Sequence, residues 1–262
     1  MQIIVILRRV LDPAGIVAHR RLRRLFINRE EYLLQPADQC ALEAALRIKD
    51  ASDAEVIVVS GQPEPNDDTL RRGLATGADR AIYLSGAGFK DADDAVVVRA
   101  VRAVIERLGG ADLILVGATT LDTGQGQLGP RLAEAFGWPQ IVGAWSVEAA
   151  TGHLQAVRQD GDQHVLVETD LPATVTMQPG SLKPRYANGA RLINIYRGEG
   201  EIAQALERWD VAELLAPDEL TPLLESKGQD FPPERKRGER VEGGPAEMAQ
   251  TVADALRQRL PG

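Results

Sequence analysis

The chain has 262 residues, 44% hydrophobic and 26% charged, with a formal net charge of −8. That length supports one large core or two small ones, and the acidic balance argues against a nucleic-acid surface, which needs a basic face. The longest apolar runs, "QIIVIL" and "VIVVS", are too short to cross a bilayer, and the N-terminus lacks a signal-peptide layout, so a cytoplasmic protein that is not membrane-embedded is expected.

Taken in chain order, Gln2–Leu7 reads as a strand, followed by the loop "RRVLDP". Residues Arg20–Ile27 suit a polar hairpin by position, though a helix also fits, and "HRRLRR" there reads as a solvated basic face. Asp38–Lys49 places Ala41, Leu42, Ala45 and Leu46 on one helical face, with Cys40 a buried thiol in the same pattern. One cysteine excludes an internal disulfide framework, and His19, His153 and His164 show no metal-ligand spacing.

The alternation continues with a strand over Glu55–Ser60, the loop "SGQPEPND" and a helix in "DDTLRRGLATGAD", where Asp67 and Asp68 suit an N-cap. Arg80–Leu84 is the next strand. Asp91–Leu108 is a helix with Val97, Val101, Val104 and Leu108 on one face and Asp93 and Asp94 at its first turn. Leu113–Gly117 is a strand, a helix starts near Gly129 and stops at "FGWPQ", and Ile141–Val147 is another strand. Strand, helix, strand at this spacing predicts an α/β fold, a parallel sheet with helices on both faces.

After Val147 the pattern predicts a β-hairpin extension turning at Asp160-Gly161-Asp162, then a strand in "PATVTMQ". Beyond Gly198 the compact pattern ends. Glu201–Arg208 and Val211–Leu215 read as helical, "GQDFPPERKRGERVEGG" reads as a surface arm, and "PAEMAQTVADALRQRL" as a helix with Met248, Val252 and Leu256 on one face. The expected division is a nucleotide-binding α/β domain over residues 1–198 and a C-terminal arm and helix over 199–262.

In open parallel sheets ligands sit beyond the carboxyl ends of the strands, where strand order switches. Three loops can converge there: Arg8 to Pro13, Ser60 to Asp68 and Gly117 to Pro130. In the last, Gly117, Gly124, Gly126 and Gly129 permit close backbone approach, and the following helix directs its positive end at the same spot, which favours a phosphate. "GQGQLG" matches G-x-G-x-x-G but follows the fourth strand, so it is a weak signal beside an ordinary strand-to-helix loop. No nucleophile with a base, no elbow motif and no paired acid–base carboxylates stand out. The residues describe a nucleotide-site candidate without visible catalytic machinery.

Several stretches in order, "VILRRVLDP", "LQPADQCALEAALRIKD", "TLRRGLATGADRAIYL", "ADLILVGATTLDTGQGQLGPRLAEAFGWPQ", "LPATVTMQPGSLKPRYANG" and "FPPERKRGERVEGG", resemble the β subunit of electron transfer flavoprotein. The resemblance implies a heterodimer with an α subunit that binds most of the redox-active FAD, the β subunit walling the flavin and burying an AMP. It implies electrons arriving from a flavin or iron-sulfur dehydrogenase and leaving for a quinone oxidoreductase, with no bond-making residues in this chain. Its C-terminal arm would reach across the α subunit.

The resemblance carries AMP contacts to Ile6, Gln35, Gly61 and the run Asp122, Thr123, Gly124, Gln125, Gly126, Gln127, Leu128 and Gly129. The family has asparagine where Gln35 stands, an aromatic where Ala37 stands, aspartates at Thr123 and Gly124, and asparagine at Gly126. "QLGP" (Gln127 to Pro130) resembles the ending found in flavin-bifurcating members, which hold a second FAD in place of AMP. AMP, a second FAD and no ligand therefore stay open, in that order; so does a free-standing adenine-nucleotide-binding regulatory protein. After "PRYA" the family has a leucine that anchors in the dehydrogenase; here Gly189 stands there, and an apolar contact of about 1.5–3 kcal/mol is absent. The expected donor is thus a dedicated dehydrogenase, acting on an amine or a methylated glycine, rather than an acyl-CoA dehydrogenase.

Overall fold

The computed structural model describes residues 1–61, 66–86, 89, 92–150, 152–225, 227, 230–233, 238 and 240–259. In chain order the elements are β1 (Gln2–Ile6), β2 (Arg9–Leu11), β3 (Ile16–His19), β4 (Arg24–Ile27), β5 (Tyr32–Leu34), α1 (Pro36–Asp50), β6 (Glu55–Gly61), α2 (Asp68–Thr76), β7 (Arg80–Ser85), α3 (Asp94–Leu108) and β8 (Leu113–Gly117). Then follow α4 (Leu128–Phe136), β9 (Gln140–Ala150), β10 (His153–Asp160), β11 (Gln163–Asp170), β12 (Ala173–Met177), α5 (Gly189–Arg197), α6 (Gly200–Gln204), β13 (Leu206–Asp210) and α7 (Pro245–Arg259).

One nine-stranded sheet has the order β11-β10-β9-β12-β8-β1-β6-β7-β13. From β9 to β13 all neighbours are parallel, and only the β9–β10 and β10–β11 pairs are antiparallel. The fold is α/β, as expected, and the hairpin of β10 and β11 extends one edge.

Because side chains alternate across a strand, β1 feeds two cores. Ile3 and Val5 join Ala41, Ala45 and Leu46 of α1, Leu70 and Leu74 of α2 and Ile195 of α5 on one face. Ile4 and Ile6 join Val101 and Val104 of α3 and Leu128 and Leu132 of α4 on the other. Cys40 is 2% exposed within the first core, and its thiol donates to Leu182 O at 3.4 Å.

The structure alters three readings. The segment Glu201–Arg208 is not one helix: α6 ends at Gln204, and β13 pairs in parallel with β7, so the sheet extends past Gly198. Val211–Glu213 is a single 3-10 turn. Asp67 does not cap α2; its carboxylate holds Arg71 at 2.7 Å and Arg208, while Asn66 Oδ1 accepts the Asp68 amide at 3.2 Å. Between β2 and β5, β3 and β4 form the hairpin, and it exposes Val17, Leu25, Phe26 and Ile27 as well as its arginines. Much of "GQDFPPERKRGERVEGG" and residues 62–65 of the second loop lie outside the described residues.

Candidate functional site

The strand order switches at β1, whose neighbours are β6 and β8. At its carboxyl end Arg8 follows, and across the crevice Gly117 ends β8. Between them stands the first turn of α1, with Pro36 pre-set for the helix start. Asp38 in that turn is fully buried. Its Oδ2 accepts the Arg8 amide at 2.8 Å and Arg8 Nε at 2.9 Å, and its Oδ1 accepts Arg8 Nη2 at 2.6 Å and the Gly117 amide at 2.8 Å. Arg8 Nη2 also donates to Gly117 O at 3.1 Å. Burial works against the Arg8 charge, but Asp38 outweighs it and the guanidinium pKa is raised, with Asp94 and Asp122 adding to the effect.

Gln35, 2% exposed, organises the loop that leaves β8. Its Nε2 donates to Thr119 O and its Oε1 accepts the Leu121 amide at 3.3 Å. The loop then closes on itself: Thr120 N donates to Gln125 O at 2.9 Å, Gly124 N to Thr120 O at 3.0 Å, and Thr123 N to Asp122 Oδ1 at 2.7 Å. Residues Asp122 to Gln125 and Gln127 are exposed, whereas Leu128 and Gly129 are buried where α4 begins.

The Gln127 side chain makes no capping bond; its Oε1 instead accepts Arg131 Nε at 3.2 Å and Nη2 at 3.0 Å. Pro130 has no N–H, so the Leu128 and Gly129 amides are the first-turn donors of α4; Gln127 does not cap them, and the helix dipole favours an anion there. A cavity of about 840 Å³ opens beside this end, lined by Asp93, Asp94, Gln125, Gln127 and Pro222 to Glu225. The cavity is of ligand size, and uncapped amides at its edge fit a phosphate.

The sequence-predicted residues separate by role. Gln35 bonds to Thr119 and Leu121 at the start of the loop, whose Thr120–Gln125 and Gly124–Thr120 bonds close it, and the run from Asp122 to Gly129 continues into α4. Ile6 is 3% exposed, its side chain in the second core, so only its backbone is near the crevice. The Leu128 side chain is likewise a core group. Gly61 ends β6, one strand over, and a Cβ there would stand 2.9 Å from the Phe89 ring. Three of the loop's glycines serve close contacts within the protein: a Cβ on Gly117 would meet Asp38 Oδ1 at 2.5 Å, on Gly126 Ala118 O at 2.4 Å, and on Gly129 Thr176 Cγ2 at 2.1 Å. Gly124, at φ +69°, has open space and makes the turn.

Sequence reasoning missed Arg8 and Asp38. Arg9, the next residue of that loop, lies over the Tyr32 ring at 3.8 Å. The available signal was a carboxylate in the helix start "QPAD" together with a basic pair directly after a buried strand. Among the described residues no group of three His, Cys, Asp or Glu is placed to hold a metal ion, and no helix is long and apolar enough to cross a membrane.

A family model described as the electron transfer flavoprotein domain matches residues 25–213. The chain belongs to that family. The electron transfer flavoprotein subunit beta of Bacillus subtilis (strain 168) is 29% identical over 227 residues, 87% of this chain and 86% of its own. The acryloyl-CoA reductase electron transfer subunit gamma of Anaerotignum propionicum is 26% identical over 268 residues, 99% of both chains. Protein FixA of Azorhizobium caulinodans is 30% identical over 206 residues, 76% of this chain and 73% of its own. At this level of identity the protein is a divergent electron transfer flavoprotein chain of β type, and the first two of these relatives are named as electron transfer subunits.

Proposed function

We propose that the chain is the β-type half of a heterodimeric electron transfer flavoprotein, passing electrons from a dedicated dehydrogenase to a quinone-linked acceptor. The observation that carries this reading is the uncapped α4 end beside the loop that Gln35 holds, at the switch point of a chain in this family. An AMP there would set its phosphate against the α4 amides, with the loop from Asp122 to Gly129 around it.

FAD, shared with an α-type subunit, would supply the redox chemistry when bound. This chain's own residues bind and orient, and no proton transfer or bond-making is assigned to them. The partner surface is supported by α7, whose Val252 and Leu256 are 49% and 53% exposed and which buries no residue within this chain. Residues 228–262 would dock this stripe on the α-type subunit, while β13 stays with the sheet. A second reading, with another FAD in place of AMP, is favoured by the "QLGP" ending of the loop.

The test is the nucleotide content of the chain co-purified with its α-type subunit, released by denaturation and resolved by chromatography. FAD and AMP in equal amounts would support the first reading, and FAD alone at twice that amount the second. Absence of flavin and of any partner subunit would overturn both.

A further inference from the structure

We propose, on the heterodimer reading above, that the hairpin of β3 and β4 is a docking element that enters an apolar, carboxylate-lined cleft of the α-type subunit. The hairpin is a two-stranded sheet of its own, apart from the nine-stranded one. Its register pairs Ile16 with Ile27, Val17 with Phe26, Ala18 with Leu25 and His19 with Arg24. Opposed residues share a face and successive ones alternate. Ile16, Ala18, Leu25 and Ile27 therefore make one face wholly apolar, and Val17 and Phe26 form an apolar pair on the other.

Both faces are open. Val17, Leu25, Phe26 and Ile27 are between 40% and 55% exposed, and Leu22 at the tip is 56% exposed. An isolated two-stranded hairpin is marginal in water, yet this one has a defined tip and base. His19 Nδ1 accepts the Leu22 amide at 3.2 Å, the Arg23 amide donates to Arg20 O at 3.1 Å, and Arg23 adopts the left-handed conformation at φ +47°. At the base the Asn28 amide donates to Gly15 O at 2.9 Å. A cleft that closes on the hairpin from two sides buries both apolar faces; a flat surface covers only one.

The charge pattern defines the chemistry of that cleft. Ile16 to Asn28 holds Arg20, Arg21, Arg23 and Arg24 and no acid, in a chain of net charge −8. Arg20, Arg21 and Arg24 are exposed and form no ion pair with a described residue. Carboxylates on the partner complement them. Arg23 is used within the chain: it pairs with Asp230 at 2.5 Å and donates to Phe231 O at 3.3 Å. The stretch that leads to α7, whose apolar stripe is assigned to the α-type subunit, is thus anchored at the hairpin tip. Continuity favours the same partner for both elements. An anionic bilayer would match the charge but would cover one face of the hairpin alone.

The experiment measures the dissociation constant of the reconstituted complex between the full chain and its α-type subunit, with the unaltered chain and with two multiple variants. Leu25→Ser combined with Ile27→Ser should weaken the complex about tenfold or more, since two half-exposed apolar side chains lose their burial. Arg20→Glu, Arg21→Glu and Arg24→Glu together should weaken it about tenfold at low salt and less at high salt. The altered side chains are exposed in the free chain, so the free variants should melt with the unaltered protein. Unchanged affinity in both variants would overturn the assignment and leave the heterodimer intact. So would binding of the assembled complex to phosphatidylglycerol vesicles that is lost in the arginine variant, because the hairpin would then be open to lipid. If the unaltered chain retains no α-type subunit, the heterodimer reading falls and the docking role with it.

Discussion

Arg8 and Asp38 join the carboxyl ends of two strands across the point where the sheet reverses its order. The Asp38 carboxylate takes both the side chain and the amide of Arg8 and also the amide of Gly117, each within 2.9 Å. Since Asp38 is fully buried and the Arg8 side chain 20% exposed, removing one member strands the other in a poor solvent. Asp38→Ala should cost about 3 kcal/mol, the lower end of the range for breaking a buried pair because Arg8 reaches some water. A denaturant midpoint measured on the complex would show it, and loss of less than ~1 kcal/mol would mean that the crevice relaxes around the gap.

Gly129 and Thr176 set how closely α4 lies on the sheet. A Cβ on Gly129 would stand 2.1 Å from Thr176 Cγ2, and the next contacts, Val116 Cγ1 at 3.3 Å and Thr176 Cβ at 3.6 Å, are tolerable. Gly129→Ala should therefore destabilise by about 1–3 kcal/mol through overpacking. Thr176→Ser removes Cγ2 but keeps the hydroxyl, whose oxygen accepts the Gly143 amide at 2.9 Å. The double variant should recover most of the loss, giving a large coupling in a double-mutant cycle. Simple additivity of the two changes would contradict this account.

Much of this architecture is legible in the residues, and the exceptions have physical causes. The helix over Asp38–Lys49 and the runs at Glu55 and Leu113 carry strong apolar periods, and they form the centre of the sheet and its cover. The strand β13 was hidden because "EIAQALERWD" has helical spacing; the open edge of β7 recruits Leu206–Asp210 as a strand, supported by Arg80 on Glu207 at 2.8 Å. Tertiary pairing overrides a short local preference. Helix α5 went unread although Asn188 signals it, its side chain accepting the Arg191 amide at 3.1 Å. In the site, the loop and its glycines were visible, but their reason was not. Gln35 and Asp38 act on residues far along the chain, and no local spacing records such a contact.

Glu43 and Arg185 give the stability a definite acid dependence. Glu43, whose side chain is 6% exposed, accepts Arg185 Nε at 2.9 Å, the Arg185 amide at 3.1 Å and Arg47 Nε at 2.9 Å. Burial pushes its carboxyl up, but the hydrogen bonds from Arg185 and Arg47 outweigh it and hold it below the usual carboxylate value. Asp50, also bonded to Arg185, is lowered as well. A lowered folded value means that the unfolded chain binds the proton first. The contribution is thus complete above the unfolded value and is lost as pH falls through the folded one. Thermal midpoints should decline below about pH 4.5, and Glu43→Gln should lower the midpoint near neutrality while flattening that decline. An unchanged acid limb would show that other carboxylates govern it.

Gly189 opens α5 where the family resemblance places an apolar anchor, and a Cβ there meets nothing within 4 Å. The position is exposed, so the glycine answers no packing need in this chain. Gly189→Leu should be neutral or stabilising by up to about 1 kcal/mol, since leucine is the better helix former. The informative measurement is electron acceptance by the reconstituted complex from an acyl-CoA dehydrogenase. The unaltered protein should accept electrons poorly, because an anchor contact of about 1.5–3 kcal/mol, roughly ten- to a hundredfold in affinity, is missing. Gly189→Leu should raise that rate at low dehydrogenase concentration and leave saturating rates nearly unchanged. If the unaltered protein is already reduced at rates typical of its relatives, docking lies elsewhere. The nearby exposed side chains Tyr186, Ile193 and Tyr196 would then be the surface to substitute.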